Sequence, residues 1–285
     1  MVLAMAISGT IGLLVVESGQ PPLTVVFVRC LVGALGLGAW LTLTKTWTKI
    51  RPVDLAWTVG GGLALVLNWL CLFSSYQNSS VSVATIVYHT QPFMLLAIVA
   101  VIHREGLVLS RLPWLALAFV GVILTSRVHA SQETGAESTW IGALLACTAA
   151  LLYAIATLMT RRLKHLPPAQ IAVFQMLVGV LTLLPMTISP LEPMSWQSLA
   201  ALSTLGLVHT AFMYTIMYAA FQRLSAQSIA ALSFIYPVVA VLVDLIYFKV
   251  SLSEWQWMGM GAIMLAVIAD QRKWQISALW NRVSA

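Results

Sequence analysis

The sequence predicts an all-α polytopic membrane protein, with ten transmembrane helices arranged as two inverted five-helix repeats. Three observations lead to this fold class: an apolar composition, a concentration of basic residues on one predicted side of the membrane, and an internal repeat. Of the 285 residues, 60% are hydrophobic and 8% are charged, and the mean hydropathy is +0.92. Soluble domains carry roughly 25% charged residues, so the composition excludes a soluble globular protein.

Ten apolar runs are long enough to cross a bilayer as helices, or nearly so. Short connections that contain proline separate many of them, and no connection is long enough to hold a soluble domain. Three cysteines lie inside these runs, where we expect small buried side chains without disulfides or metal ligands. The predicted spans are residues 1–16, 23–44, 53–75, 80–102, 113–128, 139–160, 169–188, 197–221, 226–248 and 255–270.

The basic residues predict the orientation of the chain, because cytoplasmic loops of membrane proteins are enriched in Lys and Arg. With the N-terminus in the cytoplasm, Arg127 and Lys249 fall outside and Arg29 lies within a span. The other twelve lie in inside segments, which favours both termini in the cytoplasm of a multi-pass inner-membrane protein. Because they are scattered over span ends, no nucleic-acid partner is expected. The twelve are Lys45, Lys49, Arg51, Arg104, Arg111, Arg161, Arg162, Lys164, Arg223, Arg272, Lys273 and Arg282.

An internal repeat relates the two halves of the chain. Residues 21–33 align with residues 167–179 at a constant offset of 146, and Pro92 aligns with Pro237 at an offset of 145. Five predicted spans separate the copies, so the halves have opposite orientations in the membrane. We therefore predict a first repeat over 1–130, a second, inverted repeat over 139–272 and a cytoplasmic tail over 273–285. Inverted repeats are typical of secondary transporters.

Two prolines lie near the middle of matching spans, at Pro92 and Pro237. Proline inside a helix removes one hydrogen bond and frees the carbonyl four residues earlier, here that of Tyr88 and that of Ser233. Broken helices in corresponding positions of two repeats indicate a substrate site. The predicted substrate-binding residues around these breaks are Tyr88, His89, Gln91, Pro92, Ser233, Tyr236 and Pro237.

His89 is the residue around which we expect the site to form. Ser82, Thr85, His89 and Pro92 share one helical face, which lipid would not tolerate. An intramembrane imidazole is costly to bury, so we predict that His89 binds substrate or relays a proton; bonding to a neighbouring helix is the alternative. In its neutral form the ring is expected to donate to a substrate carboxylate.

Aromatic side chains recur deep inside the third and eighth spans. Trp69 and Phe73, and likewise Tyr214 and Tyr218, are spaced four residues apart and lie on one face of each helix. Helix packing is one interpretation of this spacing. The other is an aromatic cavity wall suited to large apolar side chains.

Two charged residues lie inside the spans with an ambiguous role. Arg29 could bind a carboxylate, although snorkelling or capping a neighbouring helix is the preferred interpretation. Asp244 could attract a substrate ammonium or a proton, or pair with a cation such as Lys249, one turn away. Both remain candidates for a charge or proton role beside His89.

The ten spans in two halves of five resemble the drug/metabolite transporter superfamily, in its EamA-type branch. Phe27-Val28-Arg29, the Pro92 and Pro237 spans, and Glu105-Gly106 followed by Gly121 are similar to features of that branch. Lys249-Val250-Ser251 departs from its usual Gly-Glu pair. Within the branch, the chain most resembles bacterial inner-membrane exporters of aromatic and other amino acids.

The resemblance implies a secondary transporter that exports amino acids, preferentially aromatic and other neutral ones. A broad drug or metabolite exporter, or an exporter of nucleotide precursors, is the alternative within this class. An integral membrane enzyme or a channel is the alternative of another class, but no nucleophile–base pair, charge ring or nucleotide-binding motif is recognisable. We expect no enzyme activity, no cofactor and no metal. The expected partners are an amino-acid substrate and the lipid bilayer, with a monomer sufficient and a dimer compatible.

Overall fold

The computed structural model describes residues 1–79, 81–103, 109–126, 136–186, 194–249 and 251–274, and within these ranges it is entirely helical. The Glu105-Gly106 turn, Val250 and nearly all of the predicted tail lie outside the described residues. Helices begin where the sequence supplies start signals. Proline occupies the first turn of several helices, where its missing N–H is harmless, and Ser195, Ser225 and Ser253 each cap one.

The described residues of the first half form seven α-helices, because two of the predicted spans are interrupted. They are α1 (Val2–Ser8), α2 (Ile11–Ser18), α3 (Pro22–Leu43), α4 (Pro52–Asn78), α5 (Val81–Tyr88), α6 (Gln91–Ile98) and α7 (Leu112–Thr125).

Seven more α-helices are described in the second half, where two predicted spans are again interrupted. They are α8 (Ala136–Arg162), α9 (Pro168–Leu183), α10 (Trp196–Gly206), α11 (Met213–Arg223), α12 (Ala226–Ser233), α13 (Ile235–Ile246) and α14 (Glu254–Gln271). A π-helical turn, Leu207–Phe212, joins α10 to α11.

Among the described residues, seven helical segments are long and apolar enough to cross a membrane. They correspond to seven of the ten predicted spans. The other three predicted spans are also helical, but Val2–Ser18 and Leu112–Thr125 are shorter, and α14 carries polar residues at both ends. The seven segments are Pro22–Leu43, Pro52–Asn78, Val83–Val101, Trp140–Arg162, Pro168–Met186, Trp196–Arg223 and Ala226–Ile246.

Helices from the two halves pack against each other throughout the molecule. The main pairs are α4 with α8, α3 with α9, and α7 with α14. Glycines allow the closest approaches: Gly121 faces Gly259 between α7 and α14, and Gly179 faces Cys30 between α9 and α3. Large apolar side chains on the outer surface remain exposed, as expected where lipid is the solvent.

Several contacts between helices of the two halves occur twice, with the roles of the halves exchanged. α4 contacts α8 and α9 of the second half, and α10 contacts α2 and α3 of the first. Likewise α5 and α6 pack on α8, while α12 and α13 pack on α1. Each of these helix pairs therefore has a counterpart related by the sequence offset of the internal repeat.

Some side chains differ from their expected environments. All three cysteines are free, but only Cys30 is buried; Cys71 is half-buried and Cys147 is exposed. The expectation of burial is therefore wrong for Cys147, because an apolar residue in a membrane helix can equally face lipid. Arg29 does not snorkel to the surface, since it is only 1% exposed.

Candidate substrate-binding cavity

A cavity opens in the centre of the helical bundle where the broken helices meet. It encloses about 680 Å³ of space free of protein atoms, including the part that is open to solvent. Side chains from both halves line it, from the α1–α2 region, α3, α4, α8 and α11 as well as the breaks after α5 and α12.

The break between α5 and α6 positions the polar end of the cavity. α5 ends at Tyr88 and α6 begins at Gln91, with Pro92 unable to donate a backbone hydrogen bond to the Tyr88 carbonyl. The matching break separates α12, which ends at Ser233, from α13. The lining residues near the two breaks are Tyr88, His89, Gln91, Ser233 and Tyr236.

The His89 ring is held in a defined orientation. Its Nδ1 lies 2.7 Å from the Thr85 carbonyl, which can only accept, so Nδ1 carries the hydrogen. In neutral imidazole Nε2 is then an acceptor. The ring stacks on Tyr236, with the centroids 5.4 Å apart and the planes inclined by 26°. The expectation that neutral His89 donates to a carboxylate is therefore incompatible with this geometry.

Aromatic and thioether groups form the opposite wall. Trp69 meets Tyr214 edge-on, with ring centroids 5.6 Å apart. Tyr153 packs on Tyr88 in a similar edge arrangement at 6.2 Å, and its hydroxyl lies 3.5 Å from the Met217 sulfur. This wall is polarisable and apolar, and it can contact a flat or flexible side chain from several directions.

Arg29 projects into the same cavity from α3. Its Nε donates to Thr210 Oγ1 at 2.8 Å and its Nη2 donates to the His209 carbonyl at 3.0 Å. The guanidinium carbon lies 4.1 Å from the Trp69 ring centroid, so the cation is stacked on an aromatic face. The contacts with residues 209 and 210 tie α3 to the π-helical turn of the second half.

Comparisons with known proteins agree with this architecture. The model of the EamA-like transporter family matches twice, over residues 1–127 and 140–269. The chain belongs to the EamA-like transporter family. It is therefore a multi-pass membrane transporter and not an enzyme, and the two family matches mark an internal duplication.

A curated relative supports the same assignment at the level of the whole chain. The transporter is 30% identical over 291 residues to the Bacillus subtilis (strain 168) protein described as "Uncharacterized transporter YxxF", covering 98% of this chain and 91% of that protein. A solved crystal structure with 17% sequence identity matches 93% of this chain and 94% of its own, with a TM-score of 0.81. At that identity the likeness concerns the fold alone.

The transporter brings most of the predicted site residues into one cavity. Eight of them line it: Arg29, Trp69, Tyr88, His89, Gln91, Tyr214, Ser233 and Tyr236. They come from helices that are distant in the sequence. Their predicted role in substrate binding stays a prediction, since the geometry shows where they lie and not what they bind.

Five predicted residues do not line the cavity. Tyr218 lies behind the wall, where its hydroxyl donates to Gln175 Oε1, and Phe73 packs against Tyr76 with ring centroids 6.4 Å apart. Pro92 and Pro237 shape the two breaks without lining the cavity. Asp244 lies eight residues beyond Tyr236 on α13, about 12 Å further along the helix axis.

Several lining residues have no direct indication in the sequence. Met5, Ser8 and Ile11 come from the first span, and Tyr153 comes from α8. Ser8 and Tyr153 are polar groups inside apolar runs, a signal that was available but weak. Ser8 Oγ lies 3.1 Å from the Met213 sulfur, which brings the first span to the thioether wall.

Proposed function

We propose that this transporter exports amino acids, with aromatic and other neutral ones preferred, by alternating access between its two repeats. The observation that carries the proposal is a single cavity that joins a polar helix break to an aromatic and thioether wall. The break offers backbone and side-chain hydrogen bonds to a head group. The wall offers stacking area to a side chain, with little selectivity among apolar shapes.

The proposed mechanism places ten spans in the bacterial inner membrane as two inverted repeats, with both termini in the cytoplasm. Exchanged glycine contacts support a two-fold relation between the repeats. Gly62 of α4 abuts Val178 of α9, and Gly206 of α10 abuts Val32 of α3. The two valines are 146 residues apart in the sequence and the glycines 144 apart. Two equivalent interfaces of this kind allow the halves to rock about a central site.

The alternatives differ in the cavity that they require. An exporter of nucleotide precursors would have to neutralise several phosphate charges, and Arg29 is the one Lys or Arg among the described lining residues. A broad drug or metabolite exporter is compatible with the aromatic wall. It would accept apolar molecules that lack an amino-acid head group, which gives a direct experimental distinction.

Counterflow into proteoliposomes that contain only this protein tests the proposal. We expect saturable, trans-stimulated uptake of labelled tryptophan, phenylalanine and methionine, and none of sugar phosphates. Uptake that is neither saturable nor trans-stimulated would contradict a carrier mechanism. Transport of sugar phosphates without amino acids would contradict the substrate class.

Two tryptophan variants connect that activity to the cavity. Trp69→Ala removes the ring that meets Tyr214 in the wall, whereas Trp140→Ala removes one that is 78% exposed on the outer surface. Aromatic contacts contribute roughly 0.5–1.5 kcal/mol beyond buried area, so we expect Trp69→Ala to weaken tryptophan uptake by about tenfold. Trp140→Ala should match the wild type, and equal effects of the two variants would exclude this wall as the binding surface.

A further inference from the structure

The charge in the cavity lining is unbalanced. Arg29 is the only Lys, Arg, Asp or Glu among the described residues that line the cavity. Within the described part of the chain no carboxylate forms an ion pair with it. Burying a guanidinium without a counter-ion costs several kcal/mol, and an anion that enters the cavity would offset that cost.

The known contacts of Arg29 leave it able to bind a ligand. Thr210 and the His209 carbonyl are neutral partners that occupy two of its donors. A guanidinium has five N–H donors in a planar fork, a geometry that matches the two oxygens of a carboxylate. The guanidinium carbon lies over the Trp69 ring, 4.1 Å from its centroid, which adds a third contact. The cation is therefore held in place before a ligand arrives.

A second donor in the same lining is without a partner. Gln91 is 4% exposed, and its Nε2 has no hydrogen-bond partner among the described residues. Buried polar groups are nearly always hydrogen-bonded, and an exception calls for a partner that is missing. Gln91 follows the α5–α6 break and lines the cavity together with Arg29.

We propose that the Arg29 guanidinium and the Gln91 amide form a carboxylate-binding site, and that the transporter requires a carboxylate on its substrate but no ammonium group. The inference rests on the proposed function and names the head group that the substrates share. A monocarboxylate would neutralise the buried cation, whereas an amine without a carboxylate would add a second positive charge to the cavity. Aromatic acids that lack an amino group are therefore substrates as well.

Three indole compounds separate the two head groups. Tryptophan has a carboxylate and an ammonium group, 3-indolepropionate has only the carboxylate, and tryptamine has only the ammonium group. We expect 3-indolepropionate to compete with labelled tryptophan in counterflow to within about tenfold. Tryptamine should compete about 10- to 150-fold more weakly, the range that corresponds to losing one hydrogen-bonded charged group. Shifts in the melting temperature of the purified protein provide a second readout of binding.

Arginine variants connect the selectivity to the site. We expect Arg29→Gln to weaken tryptophan and 3-indolepropionate by about 10- to 150-fold. Tryptamine should compete as well as with the wild type or better, because the cation that repels its ammonium group is gone, and the preference for carboxylates is lost. Gln91→Leu should weaken both acids by a smaller factor. Arg162→Gln is the matched control, because Arg162 also stacks on a tryptophan, 4.5 Å from the Trp57 ring centroid, but does not line the cavity.

Each outcome of these measurements supports or contradicts the carboxylate site, the proposed amino-acid export, or both. Tryptamine that competes as well as 3-indolepropionate would overturn the carboxylate site and leave amino-acid export standing. Transport of 3-indolepropionate without tryptophan would support the site and overturn the amino-acid proposal. An Arg29→Gln protein that is weakened equally toward all three compounds would show that Arg29 only holds α3 to the π-helical turn. If none of the three is transported or shifts the melting temperature, both proposals fail.

Discussion

The two nitrogens of the His89 ring have different predicted roles, and substitutions can separate them. Asparagine at this position retains a donor for the Thr85 carbonyl but removes the acceptor that corresponds to Nε2. The longer side chain of glutamine places its amide group at the position of Nε2, where the amide oxygen can accept a hydrogen bond. Since a neutral hydrogen bond contributes about 0.5–1.5 kcal/mol, we expect His89→Asn to lower transport per folded molecule about 2- to 10-fold and His89→Gln to lower it less.

The same purified variants distinguish a purely structural histidine. If His89 only stabilises the break between α5 and α6, His89→Gln is the damaging change, because it loses the bond to Thr85. Its melting temperature should then fall below that of His89→Asn. If His89→Asn transports at the wild-type rate, Nε2 of His89 does not bind the substrate.

At the level of single residues, the sequence identified the polar end of the cavity better than its other walls. Proline chemistry is local, so Tyr88, His89 and Gln91 could be singled out without knowledge of the fold. The contributions of Met5 and Tyr153 depend on which helices meet, and periodicity along one helix does not contain that information. The proton position on His89 likewise depends on a carbonyl one turn earlier, which a list of residue types does not reveal.

The break between α5 and α6 is the element whose removal should affect transport most directly. In Pro92→Ala the backbone N–H returns and can bond to the Tyr88 carbonyl, so α5 and α6 can join into one helix. We expect the melting temperature to stay or rise, while transport falls by about tenfold, the equivalent of one lost substrate hydrogen bond to a charged group. Counterflow measures the transport rate and thermal unfolding measures the melting temperature, both on the same preparation.

Pro113→Ala is the control for that substitution. Pro113 lies in the first turn of α7, where a backbone N–H has no partner within the helix. Its replacement should change neither transport nor the melting temperature appreciably. Unchanged transport by Pro92→Ala would show that the break is not required for the transport cycle.

The contact of α7 with α14 provides a test of helix packing. A Cβ added at Gly259 would lie 2.6 Å from the Gly121 carbonyl oxygen and 2.9 Å from the Thr125 nitrogen, and neither backbone atom can move aside easily. At Gly261 an added Cβ would meet nothing within 4 Å. Overpacking costs roughly 1–3 kcal/mol, so Gly259→Ala should lower the melting temperature and Gly261→Ala should not. Equal melting temperatures would contradict the packing of these helices.

At the level of elements, hydropathy located the helices but not their interruptions. The first span is divided at Gly9 and Thr10, where no proline marks the site. Thr10 Oγ1 lies 2.8 Å from His209 Nε2 of the second half, a tertiary contact with no local signature. The π-helical turn over Leu207–Phe212 was equally invisible, because its composition is that of an ordinary apolar helix.

For the molecule as a whole, the two ends of the bundle are chemically different although their contacts are equivalent. At one end Asp54 accepts a hydrogen bond from Arg51 Nε at 2.7 Å. Asp54 also lies 2.9 Å from His165 Nε2, and this second contact joins the two halves. The pKa of the Arg51 guanidinium is raised by the Asp54 carboxylate that accepts its hydrogen bond. At the counterpart position Ser198 Oγ donates to the Ser18 carbonyl at 2.7 Å. The charged end faces the cytoplasm if the basic loops set the orientation.

The orientation of the whole chain is tested by single cysteines in a background where Cys30, Cys71 and Cys147 are replaced by alanine. Lys164→Cys and Ser251→Cys are both exposed positions between helices, in connections of opposite predicted side. A membrane-impermeant thiol reagent applied to intact cells should label Ser251→Cys and not Lys164→Cys, and inside-out vesicles should give the reverse. The reason is the concentration of twelve of the fifteen Lys and Arg residues on one predicted side. Labelling of both positions from the same side would exclude an odd number of spans between them, and with it the inverted arrangement of two five-helix repeats.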